Sequence, residues 1–409
     1  MQLLHSATRN YSWGSRTLIP HLQGQPDADK PVAELWFGAH PGDPSTVDGR
    51  LLNEVIAEDP AGQLGSRVSA EYGERLPFLL KILAAEEPLS LQAHPSKEQA
   101  EEGFARESAA GIELTAINRN YKDDNHKPEL IVALTDFYAM AGFRPLARTR
   151  ELFAALECPE LDHYVAMLDD DPSDATESAN LRVLFTTWIT IPSAKRKELI
   201  AAIVAAGERL IAADSSDWKA RVMSTVLDLN QRYPGDIGVL GALLLNHIEL
   251  SPGEAVYLDA GQLHAYVSGL GVEIMANSDN VLRGGLTPKF VDVPELVKVL
   301  TYAAADEPRV QQQDKSAQHS VHDAAAWSYP VPIKEFLLDR VELTGSSSVD
   351  LDYDGPTIAL CTAGSATFTD ADGKTLTITP GLAVWLPASE GLVTATAESD
   401  AADLFVARA

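Results

Sequence analysis

Ser251-Pro252-Gly253-Glu254-Ala255-Val256-Tyr257-Leu258-Asp259-Ala260 and Thr379-Pro380-Gly381-Leu382-Ala383-Val384-Trp385-Leu386-Pro387-Ala388 are two copies of one pattern, identical at six of ten positions at a constant offset. A Pro-Gly turn followed by an apolar strand is the outline of a β-hairpin, and a long-period repeat of it points to two related β units. The pattern therefore predicts two β-barrels in one chain. Beyond the repeat the copies diverge, the first reaching His264 and the second placing Leu392 at the matching position. The expectation is that one barrel keeps an imidazole in its interior, while the other fills its interior with the side chain of Leu392.

Outward from the repeat, the texture of the chain changes twice. Residues 1–95 read as short strands and turns punctuated by Gly, Pro and Asp. Between 145 and 240 the period becomes helical, with Leu199, Ile200, Ile203, Val204, Leu210 and Ile211 on one face and Trp218, Val222, Val226 and Leu229 on another. Strand-like runs return from about 246, and the Gln-, Asp- and Ala-rich tract 306–326 reads as a connector. The expected division is a β domain from 1–144 and 241–325, split by a helical insertion at 145–240, and a further β domain at 326–409. The fold class expected is mainly β with an α-helical insertion.

The chain has 409 residues and a formal net charge of −27. Such an excess of acid argues against a general nucleic-acid or anionic-membrane surface, both of which need basic patches to displace counterions. A phosphorylated ligand would have to be met by a small local cluster of Lys and Arg. No run approaches the roughly 18 apolar residues of a spanning helix, and the N-terminus lacks a basic region followed by an apolar one, so a cytoplasmic protein is expected. Two cysteines, Cys158 and Cys361, cannot supply a thiolate zinc site.

Four segments carry candidate chemistry. In LSLQAHP (89–95) strand alternation puts Ser90, Gln92 and His94 on one face, and Pro95 ends the strand at the rim. In DDNHKPEL (123–130) Pro128 keeps the chain extended, so Lys127 and Glu129 project alike. Glu129 enters an apolar run, where a carboxylate needs a cation partner that a metal would supply. LDAGQLHAY (258–266) brings His264. Gln92, His94, Glu129 and His264 make a donor set with one negative charge, suited to zinc or another divalent first-row ion with a position left open. VEIMANSDNVLRGGLTPK (272–289) holds Arg283 and Lys289, the basic cluster the acidic chain requires, next to Gly284-Gly285 where backbone can approach a ligand closely.

In this order, and with NYSWG (10–14) and AELWFGAHP (33–41) ahead of them, these segments resemble the signature stretches of the type I mannose-6-phosphate isomerases over essentially the whole chain. The resemblance implies two cupin (jelly-roll) barrels, the second degenerate, and one Zn2+ per chain held by Gln92, His94, Glu129 and His264. It implies Arg283 as the catalytic arginine, Ser90 and Lys289 near the substrate phosphate, and Lys127 and Asp279 nearest the proton transfer. The implied reaction interconverts mannose 6-phosphate and fructose 6-phosphate through a cis-enediol, supplying mannose and GDP-mannose metabolism. The small-molecule sugar phosphate is then the one partner expected, for a chain acting as a monomer or a weak dimer.

The residues alone do not choose the proton-shuttling base among Lys127, Asp279, Glu273 and His126. Two other readings fit parts of the pattern. Another metal-dependent cupin enzyme, an oxygenase or a different phosphosugar isomerase, would share the donor set, although an amide ligand at Gln92 is unusual for redox iron. A non-catalytic sugar-binding cupin would have lost its ligands, which the first barrel has not.

Overall fold

The computed structural model describes residues 1–169, 173–305, 308–318 and 320–409. It is mainly β, with two large antiparallel sheet systems of eleven and twelve strands and eleven helices among the described residues. None of these helices is long and apolar enough to cross a membrane.

Both repeat copies fold the same way. Gly253 and Gly381 turn with φ of +90° and +83°, and the strands Ala255–Leu258 and Ala383–Leu386 follow. The turns bond identically to their neighbours: Gly253 N–H donates to Ala133 and Ala133 N–H to Glu254, just as Gly381 N–H donates to Cys361 and Cys361 N–H to Leu382. Continuing the two ladders, Leu258 faces Glu129 and Leu386 faces Thr357. The position that holds a buried carboxylate in the first unit thus holds a hydroxyl in the second.

Strand alternation sorts side chains between layers. From the strand Phe78–Ala85, Phe78, Leu80, Ile82 and Ala84 enter a core shared with Ile358, Leu360, Ala383, Trp385, Phe405 and Ala407 of the second sheet. The intervening Leu83 and Ala85 join Ile131, Ala133, Phe137 and Tyr266 inside the first unit. Lys81 lies on that inner side, which is why an apolar-looking strand is buried on both faces yet carries a charge. The second unit has an apolar interior, with Ala359, Cys361, Phe368, Val384, Leu404 and Val406 in one cluster.

Leu392 does not fill that interior. It precedes the strand Val393–Arg408 and is 44% exposed. The constant offset misleads there because spacing between turn and strand differs in the two copies, and Phe368 and the alternating residues of the last strand do the filling instead.

One strand organises the first unit. His264–Ala276 pairs in its first half with Phe137–Phe143 and Leu91–Ala93, and in its second half with Phe78–Ala85 and Glu129–Ala133. It bends at Gly269 (φ +123°), where a Cβ would lie 2.7 Å from the Asp136 carbonyl, so only glycine fits. Six helices from Leu146–Leu156 to Ile237–Ala242 occupy the middle of the chain, including Ser193–Ala213 and Trp218–Arg232 where helical spacing predicts them. Their core, with Phe153, Leu184, Trp188 and Met223, packs against Leu91, Ala93, Met140 and Leu282 of the sheet.

Residues 1–95 are less purely β than their texture predicts, containing helices Leu18–Leu22, Leu52–Glu58 and Pro60–Tyr72. The last starts where Asp59 accepts from Gly62 N–H and Pro60 occupies the first turn, a cap and stop pair easily read as a loop. The chain's first strand, Gln2–His5, pairs with Ala383–Leu386 and so lies on the C-terminal sheet. Within the tract read as a connector, Arg309–Val310 pairs with the first sheet and Gln313–Asp314 and Val321–His322 with the second, stitching the two; Asp306, Glu307 and His319 lie outside the described residues.

Gly381→Ala forces an L residue to positive φ and sets a Cβ 2.7 Å from Gln23 Cγ. A loss of ~1–2 kcal/mol is expected, seen as a lower thermal unfolding midpoint. An unchanged midpoint would mean the turn is not a constraint on the fold.

Candidate metal centre and substrate cavity

Three side chains from three segments converge in the first unit. His94 follows the strand Leu91–Ala93, Glu129 begins Glu129–Ala133, and His264 begins His264–Ala276. All three are buried, and their ligand atoms lie within 4.8 Å of one another. His94 Nε2 is 3.4 Å from one Glu129 oxygen and His264 Nε2 is 3.4 Å from the other. Neither Nε2 has a hydrogen-bond partner. The reason is visible on the far side of each ring: His94 Nδ1 donates to the Asn280 carbonyl at 2.7 Å and His264 Nδ1 to that of Gln262 at 2.9 Å. Carbonyls can only accept, so each ring carries its proton on Nδ1 and leaves the Nε2 lone pair free.

Two buried, unsatisfied imidazole nitrogens aimed at a buried carboxylate are costly unless something fills the gap. The chemistry of the set, two neutral nitrogens and one anion, fits a divalent metal. Gln92 belongs with it by position, its backbone pairing with His264 on one side and Arg283 on the other. Burial opposes ionisation of Glu129, yet Lys127, with Nζ 2.8 Å from Oε1, and His94 hold its carboxyl well below the usual carboxylate range. Burial, and after it the charge of Lys127, pushes His94 down to about 4.

Asn280, fully buried, ties this cluster to the neighbouring loop. While its carbonyl orients His94, its side-chain oxygen accepts from Lys122 N–H (2.7 Å) and Asp123 N–H (3.2 Å). Its amide donates to the carbonyls of Asp123 (2.8 Å) and Asn125 (2.9 Å). The loop that leads into Lys127 and Glu129 is thereby fixed against the segment that carries Asp279 and Arg283.

A cavity of about 460 Å³ opens beside the cluster. Gln92, Glu129, Lys127, Ser90, Asp279, Arg283 and Lys289 all line it, so every residue expected at the site except the two buried imidazoles reaches its wall. Of the four candidate bases, Lys127, Asp279 and Glu273 line the cavity. His126 does not; it is turned to Glu335 of the C-terminal region and forms a close ion-pair contact there. Glu273 is engaged by Lys81 at 2.8 Å and by the Tyr266 hydroxyl at 2.8 Å, and burial raises its carboxyl above the usual range. Asp279 is half-exposed, with His40 Nε2 3.6 Å away. Burial lowers Arg283, and Lys289 is lowered by burial and then by the charges of Arg283 and Lys122.

Several wall residues had no role in the sequence reading: Lys81 with its partner Glu34, His40, Lys122 and Trp13; Lys81's other partner, Glu273, was read only as a candidate base. A single lysine inside the apolar run Phe78–Ala85 is itself a sign of a buried, partnered charge. For His40 and Lys122 the sequence offers no comparable sign, because both need a neighbour from a distant segment to define them.

The first 146 residues match the family model for the phosphomannose isomerase type I catalytic domain. The chain is 36% identical over 402 residues to a mannose-6-phosphate isomerase of Escherichia coli, covering 96% of each protein. It is 34% identical over 387 residues to that of Bos taurus, covering 89% of this chain and 88% of the relative. Among solved structures, a mannose 6-phosphate isomerase bound with zinc and yttrium matches with a TM-score of 0.86 at 32% identity, covering 100% of this chain and 99% of the other. The apo form from Salmonella typhimurium matches with the same TM-score and identity, covering 100% and 98%. On near-complete coverage by relatives above thirty per cent identity, with the His94–Glu129–His264 cluster in place, the chain belongs to the type I mannose-6-phosphate isomerase family.

Proposed function

We propose that this chain interconverts mannose 6-phosphate and fructose 6-phosphate, as a zinc enzyme, in the first β unit. The observation that carries the reading is the pair of free Nε2 atoms on His94 and His264 facing Glu129, buried beside a cavity that Arg283 and Lys289 also line. A metal-lined end and a basic end are what a sugar phosphate with a reacting carbonyl needs. Gln92, His94, Glu129 and His264 are the residues that would hold zinc, which when bound supplies a Lewis acid for the sugar's carbonyl and hydroxyl oxygens.

The side chains divide the remaining work. Arg283 and Lys289, with the Ser90 hydroxyl, hold the anionic end of the substrate. A base takes the proton from C2 of the aldose while O1 is protonated, giving the cis-enediol. Protonation at C1 with loss of the O2 proton then gives the ketose, with no net redox change. Lys127 and Asp279 line the cavity and are the proposed proton-transfer groups; Arg283 also stabilises the negative charge that develops. In this reading both units are cupin barrels: residues 1–144 and 241–325 supply the catalytic one around the helical insertion 145–240, apart from strands such as Gln2–His5 and Gln313–Asp314 that join the other, and 326–409 form the rest of that other barrel, with Thr357 where Glu129 would be. In this reading the chain acts as a monomer or weak dimer, and its two buried free cysteines fit a reducing cytoplasm.

Equilibration of mannose 6-phosphate with fructose 6-phosphate should be lost on chelation and regained on adding zinc, followed by a coupled assay. Full activity in the chelated protein would overturn the metal assignment. Arg283→Lys keeps the charge but loses the planar fork, and a fall of about a hundredfold in kcat/KM is expected; wild-type turnover would remove Arg283 from the chemistry. The metal-free chain should also be acid-sensitive through His94. Its folded value, about 4, lies below the unfolded value of about 6.5, so the unfolded chain takes up the proton first. Stability is therefore fully present above pH 6.5 and declines as pH falls towards 4. Urea midpoints across that range test this, and His94→Gln should reduce the slope.

A further inference from the structure

Five Lys and Arg side chains line the cavity, and they fall into two groups. Lys81 lies 2.8 and 3.5 Å from Glu273 and Glu34, and Lys127 lies 2.8 Å from Glu129. Those two charges are neutralised within the protein. Lys122, Arg283 and Lys289 have no carboxylate partner among the described residues. In a chain with a net charge of −27, acidic partners are abundant, and three cations left without one on the same cavity call for an anion from outside.

We propose that Lys122 is a third anchor for the substrate's phosphate, completing a cationic rim with Arg283 and Lys289. The proposal rests on the isomerase reading for the identity of the substrate, and deepens it by a residue that neither the repeat nor the signature segments single out.

The surroundings support it in two ways. First, all three line one cavity, and Lys289 feels the other two, being lowered by burial and then by the charges of Arg283 and Lys122. A dianion placed among them relieves that repulsion, so empty-site crowding becomes binding energy. Second, the backbone under Lys122 is fixed although its side chain is exposed. Its own N–H donates to Asn280 at 2.7 Å, and the N–H groups of Asn120 and Tyr121 just before it donate to the buried Glu107 carboxylate at 3.1 and 3.0 Å. Tyr121 is pinned further by its hydroxyl on Glu295 at 2.7 Å. A solvated surface lysine has no need of such a seat. A compact, mobile ammonium on a rigid base suits a point-charge contact to phosphate, beside the bidentate one that Arg283 offers.

The test is steady-state kinetics of Lys122→Ala and Lys122→Arg in the full-length zinc enzyme, with inorganic phosphate as competing anion. Lys122→Ala should raise KM for mannose 6-phosphate about tenfold and weaken inhibition by phosphate to a similar degree, with a much smaller change in kcat. Lys122→Arg should restore most of both, and added salt should shrink the difference between wild type and Lys122→Ala. KM and phosphate inhibition unchanged in Lys122→Ala would overturn the proposal, as would a fall in kcat with KM unmoved. Phosphate binding followed by 31P NMR on the same proteins needs no turnover. If the chain proved not to isomerise the sugar, weaker phosphate binding by Lys122→Ala would still support the anchor, and equal binding would still exclude it.

Discussion

The site depends on a buried carboxylate that cannot be left alone. Glu129 sits at the mouth of a strand buried on both faces, where an uncompensated anion would cost several kcal/mol. Lys127, two residues upstream, answers that charge directly, and His94 and His264 reach it from other strands. Yet the two imidazoles approach with their bare Nε2 atoms, not with protons, because carbonyls on the far side have fixed the tautomers. A set that only stabilised Glu129 would point N–H groups at it. The arrangement makes physical sense as a cation site between three donors.

From that centre the constraint spreads through Asn280. One residue orients His94 through its backbone and holds the 122–125 loop through its side chain, so the His94–Glu129–His264 cluster and the loop that carries Lys122 share a mechanical support. The second unit bears on the same region, since His126 in that loop is held by Glu335. This gives the C-terminal region a part in shaping the site without lining the cavity, and fits its apolar interior and the hydroxyl of Thr357 where the first unit has a carboxylate.

The comparison of the two units shows how sequence and fold diverge. Their turns are superimposable in hydrogen bonding, and the alternation that sends Trp385 into the shared core sends Val384 and Leu386 inward. Past the turn the offset between copies drifts, so that His264 is buried and Leu392 exposed. A repeat aligned by constant spacing is reliable only as far as loop lengths agree. Short capped helices such as Pro60–Tyr72 were hidden for a related reason: Asp-Pro and Gly read as turn residues until packing shows which side of Leu64 and Val68 is buried.

By itself the sequence determined the class of the protein and the identity of its chemical groups. The Pro-Gly repeat and the helical period of the middle segment are legible because periodicity is a property of neighbouring residues, while Gln92, His94, Glu129, His264, Arg283, Lys289 and Ser90 were singled out by short segments and given their roles through the resemblance to the family. Tertiary structure decided what depends on residues far apart in the chain. It set the imidazole tautomers, through carbonyls of Gln262 and Asn280, and turned His126 away to Glu335. It also left Lys122 without an acid among the described residues while giving Lys81 two. Which charges are paired and which are free is a matter of distance in space, and no local pattern encodes it.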